Sequence, residues 1–352
     1  MKHTTYFNTF LRDHVNLNAT RLALLEARVG SVYNALAADP FLGPLVKDKF
    51  PQGSWAHRTI IKPKAGGEFD ADFLLLLEVN EAWDGNPSAY PSAVYKALKD
   101  HPTYGTMPRG RKARCVYLEY AATAGDVGCH LDIVPYLIDG RHVIVNRDEN
   151  DWEDTSTTGF ADWVQTRDDI TGGLFRKVVR LMKYYKVERN NFNGVKSVIL
   201  TTLLGEQVAE WKTAFDPSCY ADLPTALVKI VTDMSDWLQA RPTMPSIANP
   251  AGDGTTFDHR WEEPTYLNFR TRMKACADKM DEAINEPDKN KSIALWQELL
   301  SPSFSPPGTA SAASAATPPP AQPSWGTSSV SSKRGGAAAA GSSVTRRSGQ
   351  GG

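Results

Sequence analysis

The sequence has few of the features that mark secreted, zinc-stabilised or membrane-spanning proteins. Its four cysteines, at positions 115, 129, 219 and 276, stand far apart, and no two of them have CxxC spacing. This spacing excludes a cysteine-based zinc site and a disulfide framework, so we expect buried thiols. No apolar run approaches the roughly 20 residues that span a bilayer, and the first residues lack the apolar core of a signal peptide. We therefore expect a cytoplasmic protein without a membrane partner.

The sequence also lacks an excess of charge of either sign. The formal net charge is −1, with 39 lysines and arginines against 40 aspartates and glutamates. This balance argues against a broadly basic nucleic-acid binder, although local basic clusters remain. One such cluster comprises Arg109, Arg111, Lys112 and Arg114. It could face a nucleotide, an RNA or DNA activator, or solvent, and the sequence leaves these alternatives open.

Two apolar segments of strand length carry acidic residues. Asp70 and Asp72 come directly before the run Phe73–Leu77, and Asp132 lies inside the short segment His130–Val134. Because residues two apart on a strand point to the same face, Asp70 and Asp72 project side by side. Burying such acids is costly unless a cation compensates them, and carboxylates that converge at one sheet edge suit Mg²⁺. The pattern therefore predicts a magnesium site.

A glycine-serine pair precedes these acids. Gly53 and Ser54 can open a helix whose free N–H groups bind phosphate, whereas the alternative is an ordinary junction between a loop and a helix. The Asp-x-Asp pair that follows at this distance favours the phosphate site. Together with the acids, the pair predicts a metal-dependent nucleotidyltransferase.

Five segments resemble, in their order along the chain, the bacterial cyclic-oligonucleotide synthases known as CD-NTases. These segments are FPQGSWAHRTIIKP, EFDADFLLLLEV, CHLDIVPYL, LMKYYK and KSVILTTLL. The family belongs to the polymerase-β-like nucleotidyltransferase superfamily and is related to animal cyclic GMP–AMP synthase and oligoadenylate synthase. The resemblance covers roughly residues 5–300.

The resemblance implies an α+β fold of two lobes. Residues 1–158 are expected to form a polymerase-β-like nucleotidyltransferase lobe, a mixed twisted sheet with helices and an N-terminal bracing helix. Residues 159–300 are expected to form a helical lobe that completes the nucleotide cleft. Residues 301–352 are rich in Pro, Ala, Ser, Thr and Gly, which predicts a disordered low-complexity tail ending in Gly-Gly.

The same resemblance implies roles for individual residues. Asp70, Asp72 and Asp132 are expected to be catalytic and to ligate two Mg²⁺ ions, for which Mn²⁺ can substitute. Lys183 in LMKYYK and Ser197 in KSVILTTLL match positions that contact the donor triphosphate in relatives. The bases that surround Lys183 on its helix are expected to be mostly solvated.

Gly53 and Ser54 complete the nucleotide-binding set that we expect from the sequence. The substrates would be ATP and other nucleoside triphosphates, and the product a cyclic di- or trinucleotide second messenger of bacterial anti-phage (CBASS) defence. A downstream effector would then meet the enzyme only through this product.

The C-terminus carries a further hypothesis. A tail that ends in glycine can enter a narrow active site and be adenylated at its carboxylate, as in ubiquitin-like proteins, and some CD-NTase operons encode an E1/E2-like conjugating enzyme. Gly352 is then the residue to be conjugated, whereas the alternative is an ordinary flexible end.

Two other functions stay open at this point. One is a template-free polymerase that makes linear oligoadenylate or adds nucleotides to RNA. The other is an inactive scaffold that acts through its tail.

Overall fold

A mixed β-sheet and a set of helices make up the computed structural model, which describes residues 1–64, 67–122, 128–156 and 158–306. The strands are β1 (Val46–Gln52), β2 (Phe69–Leu77), β3 (Arg109–Arg111), β4 (Val116–Tyr120), β5 (Cys129–Asp139), β6 (Arg141–Asn146) and β7 (Asp151–Asp154). The α-helices are α1 (Thr4–Phe10), α2 (Ala19–Ala38), α3 (Gly53–Ala56), α4 (Ala89–Asp100), α5 (Gly159–Ile170), α6 (Phe175–Glu188), α7 (Ser197–Glu206), α8 (Glu210–Phe215), α9 (Leu223–Gln239), α10 (Glu263–Asn285) and α11 (Lys289–Leu299). These elements confirm the α+β class. Gly352 and the tail from residue 307 onward lie outside the described residues.

The two acid-bearing strands are neighbours in the sheet. The strand order is β1-β2-β5-β4-β3, and β6 and then β7 continue the sheet beside the second half of β5. Strands β2 and β5 are parallel, whereas the other described pairings are antiparallel. The start of β2 and the start of β5 therefore lie at the same edge of the sheet.

The alternation of side chains along β2 separates two faces. Phe69, Phe73 and Leu75 point into a large cluster that also contains residues of α2 and α4. The even-numbered residues of β2 point to the other face, where Leu74 belongs to a small cluster with Cys115, Val134 and Tyr136. Asp70 and Asp72 share the parity of Leu74, so they lie on this second face.

A second large hydrophobic cluster unites the helices. Its buried side chains come from α1, α5, α6, α7, α9, α10, α11 and the short segments between them. The predicted apolar side of α6, which includes Phe175, Val178 and Met182, is fully buried there. The separate sheet cluster and helical cluster are compatible with the two expected lobes, whose boundaries stay a prediction.

Cysteine and membrane expectations can be compared with the structure directly. All four cysteines are buried thiols, as predicted. Within the described ranges, every helix is too short or too polar to cross a membrane.

Candidate active site

The parallel pairing of β2 and β5 brings the three predicted acids together. Asp72 is the register partner of Asp132, and Asp70 is the register partner of His130. Neighbouring strands lie about 4.8 Å apart, so the carboxylates of Asp72 and Asp132 project from adjacent positions on one face. Asp70 precedes them by one pleat and is exposed, whereas Asp72 and Asp132 are partly buried. The convergence that the strand pattern predicts is therefore present.

Negative charge accumulates on Asp72. The pKa of its carboxyl is raised to about 6, first by burial and then by the nearby charges of Asp132 and Asp70, whereas Lys112 and His130 act in the opposite direction. The side-chain carboxylates of Asp70 and Asp72 accept no hydrogen bond and form no ion pair in the described part of the chain. Two carboxylates of the three are thus available to a cation.

Lys112 pairs with the third carboxylate. Its Nζ donates to Oδ1 and Oδ2 of Asp132 at 3.0 Å each. The same Nζ lies 2.8 Å from Nε2 of His130, which is in turn 3.0 Å from Oδ1 of Asp132. The sequence placed Lys112 in a basic cluster without a partner, and the structure assigns it to the acids. Only the pairing of β4 with β5, which no sequence pattern reveals, would have shown this.

The donor set fits a hard divalent cation. Three carboxylates supply the oxygen ligands that Mg²⁺ prefers, and the raised pKa of Asp72, caused by burial and like charges, shows that positive charge is lacking on that side. As the side chains stand, no three His, Cys, Asp or Glu residues in the described ranges are arranged to hold a metal. Both Asp132 oxygens already accept from Lys112, so a metal would compete with the ammonium for them. The residues therefore fit the ion by their donor chemistry, and their side chains would have to rearrange to hold it.

The glycine-serine turn lies directly against these acids. Gly53 has φ +59°, and a Cβ placed on it would be 2.6 Å from Oδ2 of Asp72. Its neighbour Gln52 pairs with Asp72 across β1 and β2, and Ser54 follows in the short helix α3. Only glycine combines this left-handed backbone with such a close approach. The structure thus brings Gly53 and Ser54 to the acids.

Lys183 contacts the segment that follows this turn. Its Nζ donates to the carbonyl and the hydroxyl oxygen of Thr59, at 3.1 and 3.0 Å. The side chain is buried, and this burial, followed by the charges of Lys186 and Arg180, lowers its pKa to about 8. Lys183 therefore lies near the turn but is bonded to protein atoms.

The expectation that the other bases of α6 are mostly solvated is wrong for three of them, of which Lys186 donates to the carbonyl of Val195. Arg176 donates from Nε to the carbonyl of His57 at 3.0 Å, and Arg180 donates from Nη1 to that of Arg58 at 3.1 Å. With Lys183, these bases form a ladder of three cations that bind three successive carbonyls. Spacings of four and three residues put them on one face of the helix, where they meet this loop.

Ser197 is the first residue of α7. It is exposed, and the N-cap position of that helix belongs to Lys196, whose side chain makes no capping hydrogen bond. No hydrogen bond joins it to the other predicted site residues in the described part of the chain. Plain helix capping, the alternative role for this serine, is not what the structure shows.

Comparison with known proteins shows which family of domains and which solved structures the chain resembles. Residues 1–168 match the model of the Second Messenger Oligonucleotide or Dinucleotide Synthetase (SMODS) domain. The chain is 24% identical over 262 residues to the cyclic AMP-AMP-AMP synthase of Acinetobacter sp. (strain ATCC 27244 / 9458), covering 72% of each protein. Its fold matches that of E. coli MS115-1 CdnC with ATP at a TM-score of 0.64 and 17% identity, over 86% of this chain and 99% of that one. The chain therefore matches the SMODS domain over residues 1–168 and has the fold of known CD-NTases.

A second solved structure agrees with this assignment. Vibrio cholerae DncV, a cyclic AMP-GMP synthase in complex with nonhydrolyzable GTP, matches this chain with a TM-score of 0.67 and 14% identity, over 87% of this chain and 97% of that one. At such low identity the structural matches establish the fold. The class of activity follows from the SMODS domain, whose description is that of a synthetase of oligonucleotides or dinucleotides. The match to this domain therefore assigns the chain to the nucleotidyltransferases that make second-messenger nucleotides.

Proposed function

We propose that this protein is a CD-NTase that joins ATP and other nucleoside triphosphates into a cyclic di- or trinucleotide, with release of pyrophosphate. The observation that carries the proposal is the pairing of Asp72 with Asp132 on parallel strands, beside Asp70 and against the turn at Gly53. The relatives support the substrates, because one makes cyclic AMP-AMP-AMP and others are seen with ATP or a GTP analogue. The resemblance to CD-NTases supports a role in anti-phage (CBASS) signalling.

The three acids are proposed to hold divalent metal, two Mg²⁺ ions or Mn²⁺ in their place. Asp70 and Asp72 would bind from β2, and Asp132 from β5. Bound there, the metal would supply positive charge to the attacking hydroxyl oxygen and to the donor phosphates. Asp132 is also proposed to take the proton of the attacking ribose hydroxyl. The acids can do this only if they remain ionised, and metal favours that form.

The phosphates of the donor are proposed to lie beside the Gly53 turn. The triphosphate would be held by the backbone at Gly53, which lacks a side chain and allows close approach, by the hydroxyl of Ser54 and by the ammonium of Lys183. Ser197 would add a hydroxyl from α7. Most of the rate would then come from positioning and from stabilisation of charge in the transition state.

Product analysis tests the proposal. Purified protein is incubated with all four nucleoside triphosphates and Mg²⁺ or Mn²⁺, and the products are identified by mass spectrometry after treatment with phosphatase. We expect a cyclic product that resists phosphatase. The Asp70→Asn/Asp72→Asn variant should release no pyrophosphate, although it should unfold at the same temperature as the wild-type protein. A ladder of phosphatase-sensitive products would indicate a linear polymerase, and undiminished pyrophosphate release by the variant would contradict the assigned acids.

We further propose that Gly352 is conjugated by an E1/E2-like partner. The proposal rests on the Gly-Gly end of the sequence and on the resemblance to CD-NTases whose operons encode such enzymes. Co-expression with the partner should give a covalent adduct in intact-mass spectra. Deletion of Gly352 should abolish this adduct without changing nucleotide turnover, and an adduct that persists would rule the residue out.

A further inference from the structure

The ammonium of Lys112 makes the contact with Asp132 that a bound metal would otherwise make. It contacts both carboxylate oxygens at the same distance of 3.0 Å. Of the three acids, Asp132 alone is paired with a lysine or arginine among the described residues. A divalent ion that binds Asp132 must therefore replace an existing ionic contact, whereas no such contact has to be broken at Asp70 or Asp72.

The surroundings of Lys112 allow this exchange. Its side chain is 48% exposed, whereas that of Asp132 is only 19% exposed, so the ammonium can withdraw into water. Its Nζ also lies 5.4 Å from the centre of the Tyr117 ring, which faces Asp132 across β4 and β5. The aromatic ring offers the cation a second favourable contact nearby.

We propose that Lys112 is a built-in counter-ion that competes with divalent metal for Asp132. The inference rests on the proposed function, because it takes Asp70, Asp72 and Asp132 as the metal ligands. In the metal-free protein Lys112 screens the repulsion among these acids and stabilises the fold. When metal binds, Asp132 exchanges the ammonium for the ion, and this exchange weakens the observed metal affinity.

Direct measurement of metal binding tests the competition without reference to activity. The metal-free protein is titrated with Mn²⁺, and the free ion is followed by electron paramagnetic resonance. Because an exposed ion pair contributes a modest amount of free energy, we expect Lys112→Met to lower the dissociation constant for Mn²⁺ about three- to tenfold. Lys112→Met should also lower the melting temperature of the metal-free protein, and saturating Mn²⁺ should remove that difference.

Arg111 supplies the matched control. Its guanidinium lies 4.9 Å from the ring centre of Tyr95 on α4 and donates to Oγ of Ser92 at 3.2 Å, so it faces away from the acids. Arg111→Met removes one positive charge from the neighbouring position and should change the dissociation constant less than about twofold. Equal tightening by both variants would show a general effect of charge and would overturn the competition.

Two further results separate this inference from the proposed function. An unchanged or weaker affinity for Mn²⁺ in Lys112→Met would overturn the competition, provided that the wild-type protein binds Mn²⁺ through Asp70 and Asp72. If Asp70→Asn/Asp72→Asn binds Mn²⁺ as well as the wild type does, the metal site itself is wrong, and the proposed function fails with it. In the Asp132→Asn background, Lys112→Met should no longer lower the melting temperature of the metal-free protein.

Discussion

At the scale of single residues, Gly53 sets the distance between the start of α3 and the acids. Its φ of +59° is unfavourable for any residue with a side chain, and its added Cβ would meet Oδ2 of Asp72 at 2.6 Å. Gly172 has nearly the same backbone, with φ +60°, but no atom lies within 4 Å of its added Cβ. The two glycines therefore share the strain and differ in the contact.

Comparison of two alanine variants isolates that contact. Gly53→Ala and Gly172→Ala should each lose about 1 kcal/mol of unfolding free energy, because each forces alanine into a left-handed conformation. Only Gly53→Ala should also lower nucleotide turnover, by about tenfold or more, because Asp72 must move. Urea unfolding and pyrophosphate release measure the two effects. Similar turnover in both variants would show that Asp72 tolerates the displacement.

His57 gives the stability of the protein a specific dependence on pH. Burial lowers its pKa to about 3, with smaller effects from the positive charges of Lys183 and Arg176. The unfolded state, with a histidine pKa near 6.5, binds the proton more readily. The stability that neutral His57 contributes is therefore complete above about pH 6.5 and decreases as the pH falls toward 3.

Replacement of His57 should flatten this dependence. Between about pH 6.5 and pH 4.5 the wild type should lose stability more steeply than His57→Phe, with a limiting difference in slope of about 1.4 kcal/mol per pH unit. Phenylalanine can keep the ring contact with Phe160, whose centroid lies 4.6 Å from that of His57. Urea midpoints measured across this range check the prediction, and parallel curves for the two proteins would refute it.

At the scale of elements, helices α5 and α6 share one buried ion pair. Asp168 of α5 accepts from Nη1 of Arg176 at 2.9 Å, and both side chains are nearly buried, at 11% and 12% exposed. Asp168 is the acid bonded to the cation ladder of α6, and it also accepts from the backbone N–H of Arg176. Removal of its charge would leave the ladder less compensated.

Asp168→Asn should therefore destabilise the protein by roughly 3 kcal/mol, because it leaves the largely buried guanidinium of Arg176 without its carboxylate partner. Asp278→Asn is the control, since it breaks an exposed pair with Lys274 whose side chains are 63% and 55% exposed. That change should cost less than about 0.5 kcal/mol. Chemical denaturation of both variants decides the matter, and equal losses would mean that the ladder does not depend on Asp168.

The elements also show how far the sequence determines the fold. Apolar runs predict β2 and the Asp132 strand. The sequence also predicts helices over Leu223–Ala240 and Tyr266–Asn285, and the observed ends of α9 and α10 lie within three residues of these bounds. Strand β1 is missed because VKDKFPQ contains Pro51 and no regular alternation, and its edge position tolerates both. Strand β7 has the sequence DWED and is defined by pairing with β6. Because β7 depends on its pairing with β6, its own four residues carry little of the pattern from which a strand is predicted.

The candidate site divides in the same way. Asp70 and Asp72 follow from local alternation, and the turn at Gly53 follows from residue type. The contact between Lys112 and Asp132 depends on the register of β4 against β5, which lies between residues distant in sequence. Sequence patterns therefore predicted the acids, but the counter-ion had to come from tertiary structure.

At the scale of the whole molecule, the end of the helical cluster lies beyond the last helix. Phe304 belongs by composition to the tail, yet it is 0% exposed and its ring centre lies 4.9 Å from that of Phe7 on α1. Trp296 of α11 joins the same group, with its ring centre 4.8 Å from that of Phe7. Phe304 thus helps to join the two ends of the described chain within one core.

Truncation and substitution at this point should separate the core from the tail. Phe304→Ala should cost roughly 3–5 kcal/mol because it opens a cavity among buried rings, whereas Phe215→Ala, at a ring that is 89% exposed, should cost less than about 0.5 kcal/mol. A chain that stops after residue 306 keeps Phe304 and should retain both its melting temperature and its nucleotide turnover. A chain that stops at Leu300 should unfold as readily as Phe304→Ala or more so. Thermal and urea unfolding compare the four proteins, and equal stability of the two truncated chains would show that Phe304 contributes nothing to the core.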